Sequence, residues 1–400
     1  MADNEGFGGF KWAGMSTFPE TYWRHGHAQS FLKSVDWQAL CASASGLHDG
    51  KECTLEPDIA MGLRHMVRIL KFEDDSRWVA RLRIPLNKED SDEAVMRSEV
   101  DCLRLVKERT TVPVPAVFAF IPRQDSNIGA NVMLMECLMG NVGVDLNFDF
   151  IPTEYKSSFY EEMARIQTEI SSITFPKIGS IIRLEDGSYD VGPIPGIGGP
   201  FETATEYFKA LAPTLEFPTS ESTIAATCGD LATRVSTSVA EFPRKISEMA
   251  SQFCLQDNGP FVLCRPQFGH TDIVVNDSYK ILGVIDWEDT ISAPWETVEF
   301  PFPLNLVPAA MDPPWNFDEN GVPVDEESRQ RLRDRADYVA AVLRAESSGH
   351  SSMLSNVLKE ERVQDLASAI SLYQGGKMGL YSDIFDLHYP KGVEGRMVGS

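Results

Sequence analysis

The spacing of hydrophobic positions changes several times along this chain, and each change marks an element. Between residues 53 and 84 it is short: Trp78, Ala80, Leu82 and Ile84 interleave with Val79, Arg81 and Arg83. A period of two belongs to strands with distinct faces. Strands are therefore predicted over residues 53–59, 66–72 and 78–84, with turns at Gly62 and at Glu73-Asp74-Asp75-Ser76. From 91 to 106 the period lengthens, with Met96, Val100 and Leu103 on one face of a predicted helix and Glu99 beside that stripe. Pro113 and Pro115 end this segment. The run Val132-Met133-Leu134-Met135 then predicts a further strand leading into Glu136-Cys137-Leu138-Met139-Gly140.

The second half is mostly helical in pattern. Residues 154–173 bury Phe159, Met163, Ile166, Ile170 and Ile173 at steps of four and three. Residues 192–200 are rich in glycine but hold three prolines and lack both the lysine and the spacing of a phosphate loop, so they read as an ordinary loop. Thr203 and Glu206 form a capping box that opens a helix, and helical patterns continue to about 253. Short apolar runs at 261–264, 273–275 and 281–285 interrupt them. The last two, joined by Asn276-Asp277-Ser278-Tyr279, predict a hairpin. After a proline-rich passage over 294–314, two long helices are predicted at 325–346 and 353–373. The first 40 residues, with Phe10, Trp12, Phe18, Tyr22, Trp23 and Phe31, read as an extension packed on the body.

Composition narrows the function classes. The chain has 400 residues, 43% of them hydrophobic, and a formal charge of −23. Such a balance describes a globular chain and argues against nucleic acid or anionic membrane partners, both of which need a basic face. Seven cysteines without a Cys-x-x-Cys spacing give neither a zinc site nor a disulfide framework. No apolar run approaches a membrane span and the start lacks a secretory pattern, so a soluble, cytoplasmic protein with a small-molecule ligand is expected.

Candidate chemistry gathers between Gly259 and Trp295. Leu263-Cys264 at one end and Gly283-Val284-Ile285-Asp286-Trp287-Glu288 at the other resemble the aminoglycoside phosphotransferase and choline kinase-like family, in particular its fungal branch. The resemblance extends over roughly residues 50–390 and implies an α+β, two-lobed protein kinase-like fold. It divides the chain into an extension (1–45), a small β-rich nucleotide-binding lobe (46–140) and a larger, mainly helical lobe (141–400). ATP and Mg²⁺ are the implied cofactors. Asp286 takes the place of the carboxylate that holds the metal on the nucleotide phosphates, where a hard oxygen ligand is required. The resemblance further implies a phosphate cover at Gly62, a phosphate-facing cation at Arg81, its helix partner at Glu99, and adenine contacts from the backbone of Glu136, Cys137 and Leu138. The residue readings that compete are a solvent-facing arginine on an edge strand and a solvated glutamate.

In the same register the catalytic loop is altered. The family's histidine falls on Arg265, its catalytic aspartate on Gln267, and its metal-binding asparagine on Asp272. Gln267 cannot take a proton, a task worth typically 10²–10⁴-fold. Arg265 adds a permanent cation expected to compete for Asp286 or Asp272. The string His270-Thr271-Asp272, with Asn276 beyond it, imitates the missing motif five residues downstream. A base moved there shortens the loop by roughly 15 Å of contour, so Asp272 reads better as a metal ligand. Next to Gly62, the family's second glycine is Leu63, which predicts a stiffer cover turn. A pseudo-phosphotransferase is the leading expectation. An active ATP-dependent small-molecule phosphotransferase with an atypical loop, or a repurposed non-kinase enzyme, are the alternatives.

Overall fold

The computed structural model describes residues 7–12, 25–62, 64–85, 92–146, 151–349 and 353–390. Leu63 lies outside them, and with it the expectation of a stiffened cover turn. The chain divides into two compact units. The first takes Met1–Glu162, Ile181–Asp190 and His270–Thr290; the second takes Met163–Ser180, Val191–Gly269 and Ile291–Ser400.

Alternation in the first unit does become a sheet. Strands β1 (Cys53–Met61), β2 (His65–Phe72), β3 (Arg77–Arg83), β4 (Val117–Ile121) and β5 (Val132–Glu136) pair antiparallel in the order β1-β2-β3-β5-β4. Two helices not foreseen, α1 (His25–Ser34) and α2 (Trp37–Leu47), cover one face. Phe31, Leu40 and Ala44 from these helices, and Val35 between them, join Met66, Leu70, Phe72, Trp78, Ala80 and Leu82 in one buried core. This is where part of the aromatic extension goes. Asp36 caps α2 by accepting from the backbone of Gln38 and Ala39, which satisfies N–H groups that a helix start leaves orphaned.

On β3, Trp78, Ala80 and Leu82 point into that core, which leaves Arg81 and Arg83 on the opposite face. Since β3 is internal to the sheet and that face is also covered, Arg81 is only 5% exposed. The solvent-facing reading of Arg81 is thereby overturned. Helix α3 (Asp92–Arg109) buries Met96, Val100 and Leu103 as its period predicts, and Glu99 with them. The predicted hairpin is present: Ile273–Val275 pairs antiparallel with Ile281–Val284, and Asn141–Val142 adds a third strand. Asn276 Oδ1 accepts from the backbone of Ser278 and Lys280 and so shapes the turn.

The second unit is mainly helical, and within it Phe261–Cys264 pairs antiparallel with Thr174–Phe175 and with Ile291–Ala293. The capping box of Thr203 and Glu206 is formed in both directions. A helix at Ala232–Phe253 packs Phe242, Ile246 and Phe253 against Tyr373, Tyr381 and Phe385. Glu326–Ser347 forms the predicted helix, capped by Asp325. The pattern over 353–373, read as one helix, is two, Leu354–Lys359 and Glu361–Gln374. Glu360 between them is extended, and the buried Gln364 Nε2 donates to the Val357 carbonyl that a continuous helix would have bonded itself. Among the described residues no helix is long and apolar enough to cross a membrane.

Candidate functional site

Three chain segments of the first unit converge on Arg81. Its Nη1 lies 2.9 Å from Glu99 Oε1 on α3, and its Nη2 lies 2.6 Å from Asp286 Oδ1 after the hairpin. Nη2 also stands 2.9 Å from His65 Nδ1 and 3.7 Å from Glu288 Oε2. Burial, and then Arg81, Arg83 and Arg64, push the His65 imidazole well below its usual range. It is therefore neutral at physiological pH, and with Arg81 as an obligate donor its Nδ1 accepts while Nε2 carries the proton.

Asp286 sits in the left-handed region (φ +59°), which aspartate tolerates better than most residues. The conformation turns the chain after the hairpin so that the half-exposed carboxylate of Asp286 meets Arg81, while Trp287 beside it is buried. The Trp287 backbone N–H donates to Glu99 Oε1 at 3.2 Å and its indole donates to the Val284 carbonyl at 3.0 Å. Glu99 thus holds both the strand cation and the turn that carries Asp286. Burial raises the Glu99 carboxyl above the usual range against the pull of Arg81.

A second tier was missed from sequence. Glu288 Oε1 accepts from Arg83 Nη1 and, at 2.6 Å, from Arg64 Nη1, which also reaches Asp289 Oδ2 at 2.9 Å. Three guanidiniums thus face four carboxylates. The alternation of β3 had placed Arg81 and Arg83 on one face, and Glu288 belongs to the motif itself, so part of the signal was present. Nothing in the pattern linked Arg64 to Glu288, 224 residues away.

His65, Glu99 and Glu288 offer ligand atoms within 4.8 Å of one another. The Arg81 guanidinium already fills that cluster as its cation, so a metal fits it poorly. The hard-oxygen pair that the resemblance implies for Mg²⁺ is Asp272 and Asp286. The Ile285 N–H donates to the Asp272 carbonyl at 2.8 Å, which sets Asp272 and Asp286 at the same end of the hairpin. Two carboxylates suit Mg²⁺, which takes few protein oxygens and keeps water.

The Glu136-Cys137-Leu138 stretch follows β5. The Glu136 N–H donates to the Ala116 carbonyl at 2.8 Å, and its carboxylate accepts from Ala116 N. The Leu138 carbonyl accepts from the Gly140 N–H at 3.0 Å. Burial pushes the Cys137 thiol up to about 12, so it packs and does not react. Gly62 stands in the turn between β1 and β2, its N–H on the His65 carbonyl at 2.9 Å.

Arg265 and Gln267 belong to the second unit. Arg265 is buried, its guanidinium 5.8 Å from the Phe268 ring. Gln267 is exposed with φ +53°, in a loop held where Phe302 N donates to the Phe268 carbonyl at 2.8 Å.

No known family profile matches the chain, and no curated protein matches it. Solved structures similar to it include a Ralstonia eutropha protein assigned as an aminoglycoside phosphotransferase (16% identity, 85% of this chain and 98% of that one, TM-score 0.46). An amicoumacin kinase in complex with AMP-PNP, Ca²⁺ and Ami aligns at 10% identity over 87% of this chain and 89% of its own (TM-score 0.44). The macrolide 2′-phosphotransferase MphH of Brachybacterium faecium aligns at 14% over 89% and 99% (TM-score 0.41). The reading of function therefore rests on the side chains described above.

Proposed function

We propose that this chain is a kinase-like protein of the phosphotransferase type that binds a nucleotide with Mg²⁺ and a small-molecule ligand but transfers phosphate weakly or not at all. The observation that carries the reading is Arg81 bridging Glu99 and Asp286 at 2.9 and 2.6 Å. That bridge is the arrangement by which a kinase-type site presents a cation to the phosphates and a carboxylate to the metal. Bound Mg²⁺ would neutralise charge on the phosphates, held by Asp286 and Asp272. Asp286 would hold the metal in place of Arg81, and Arg81, fixed by Glu99, would offer its second nitrogen to phosphate oxygen. The exchange replaces one set of charge-assisted bonds by another, so binding is weak.

What is missing is the proton acceptor. Gln267 positions a hydroxyl or a water with its amide, as glutamine does in some GTPases, but removes no proton. The substituted Arg265 and Gln267 support a pseudo-phosphotransferase, of the fungal branch that the motif resembles, working in the cytoplasm without nucleic acid or membrane partners. The test is calorimetric titration with ATP and Mg²⁺ beside a phosphate-release assay on the same preparation. Binding without release above the buffer rate is expected. Release at about 1–100 s⁻¹, the usual range for kinases, would contradict the reading.

A further inference from the structure

The three guanidiniums around Glu288 are not equivalent. Arg81 and Arg83 lie on β3 with side chains 6% and 10% exposed, whereas Arg64 lies on the turn between β1 and β2 with its side chain 45% exposed. Among the described residues, the partners at the far end of Arg64 are carboxylates, Glu288 at 2.6 Å and Asp289 at 2.9 Å. Glu288 does not depend on it, because Arg83 donates to the same oxygen and Arg81 stands 3.7 Å from the other. Withdrawing Arg64 leaves Glu288 paired. Withdrawing Arg81 would instead strand the buried Glu99 carboxylate, which has no other ion pair among the described residues.

We propose that Arg64 is an exchangeable latch and a phosphate ligand: it ties the cover turn to Glu288 and Asp289 in the empty site and moves to the terminal phosphate of a nucleoside triphosphate when one binds. The proposal rests on the nucleotide-binding reading above and adds a residue and a preference to it. A backbone glycine cover approaches phosphate through N–H groups. Here Gly62 keeps only the turn, its own N–H spent on His65, and the side chain two residues on supplies the charge. Guanidinium suits the task because its planar fork meets carboxylate and phosphate alike. The device favours ligands with a terminal phosphate far enough from the nucleoside to reach the turn, so triphosphate over monophosphate. Entry is limited by breaking two ion pairs, and binding should therefore depend on ionic strength.

Two arms test this. Without nucleotide, hydrogen exchange of the peptide spanning residues 59–66 is compared in the parent, Arg64→Gln and Asp289→Asn; a rise of about 10-fold in Arg64→Gln, and a smaller one in Asp289→Asn, is expected while β3 stays unchanged. Equal exchange in all three overturns the latch. With Mg²⁺ present, titrations with ATP and AMP are compared. Arg64→Gln should lose about 10-fold or more for ATP and keep its AMP affinity. Asp289→Asn should gain several-fold for ATP, because it removes a competitor for Arg64, a sign that a merely structural role does not produce. Equal losses for ATP and AMP, or a loss in both variants, overturn the phosphate role. If the parent binds no nucleotide, the functional reading fails and the phosphate role with it, while the exchange arm still decides the latch.

Discussion

Asp286 is the residue on which the proposed chemistry of the first unit turns, because its half-exposed carboxylate pairs with the buried Arg81. Asp286→Ala is expected to abolish Mg²⁺-dependent nucleotide binding and leave folding intact, since Arg81 keeps Glu99 and His65 as partners. Calorimetry with and without Mg²⁺, beside a melting curve, checks both halves. A second residue-scale prediction concerns Glu299. Burial raises its carboxyl to about 7, against hydrogen bonds from Asn305 and Ser371. A carboxyl with a raised folded-state pKa stabilises the fold below its unfolded value and loses that contribution as pH rises through its folded value. Stability should therefore fall between about pH 4.5 and 7, by on the order of 2 kcal/mol from this group. Glu299→Gln, permanently neutral, should flatten that part of the profile in denaturant titrations; an unchanged slope would assign the loss elsewhere.

At the scale of elements, the join between β5 and the hairpin depends on Gly140. A methyl there would lie 2.5 Å from the Val275 carbonyl oxygen and 2.8 Å from side-chain atoms of Leu282 and Val274. Backbone cannot yield as a side chain tip can, so Gly140→Ala should cost about 1–3 kcal/mol and lower adenosine affinity along with it. Chemical denaturation and calorimetry together test this. A variant with full stability would mean the two strands separate more easily than the packing implies. Gly140 also illustrates what sequence reading reached: the strands, α3, the hairpin and the capping box all follow from local period and turn chemistry. Helices α1 and α2 were not read, because their apolar residues acquire a face only once the sheet they cover exists. The break at Glu360 was likewise invisible, having no proline or glycine and depending on the buried Gln364. In the candidate site, Arg81, Glu99 and Asp286 were legible through the motif. Arg64 and His65 were not, since neither falls on a motif position; Glu288 lies in the motif, but no local pattern links it to its partners in the first strands.

For the whole molecule, the proposed function joins the Arg81–Glu99–Asp286 cluster of the first unit to a Gln267 in the second unit's sequence that cannot take a proton. Gln267 occupies a left-handed position (φ +53°) that aspartate adopts more readily than glutamine, so the backbone there accepts an aspartate without new strain. Arg265 is buried beside Phe268, and a histidine in its place keeps an aromatic contact and removes a permanent charge. The most direct measurement is steady-state phosphate release from ATP with Mg²⁺ by the parent and by the double variant Arg265→His, Gln267→Asp. A silent parent and a gain of about 10²-fold or more in the variant are predicted, the scale of one general base. A parent that already releases phosphate at kinase rates, or a double variant that binds ATP with Mg²⁺ yet stays as silent as the parent, would contradict the account.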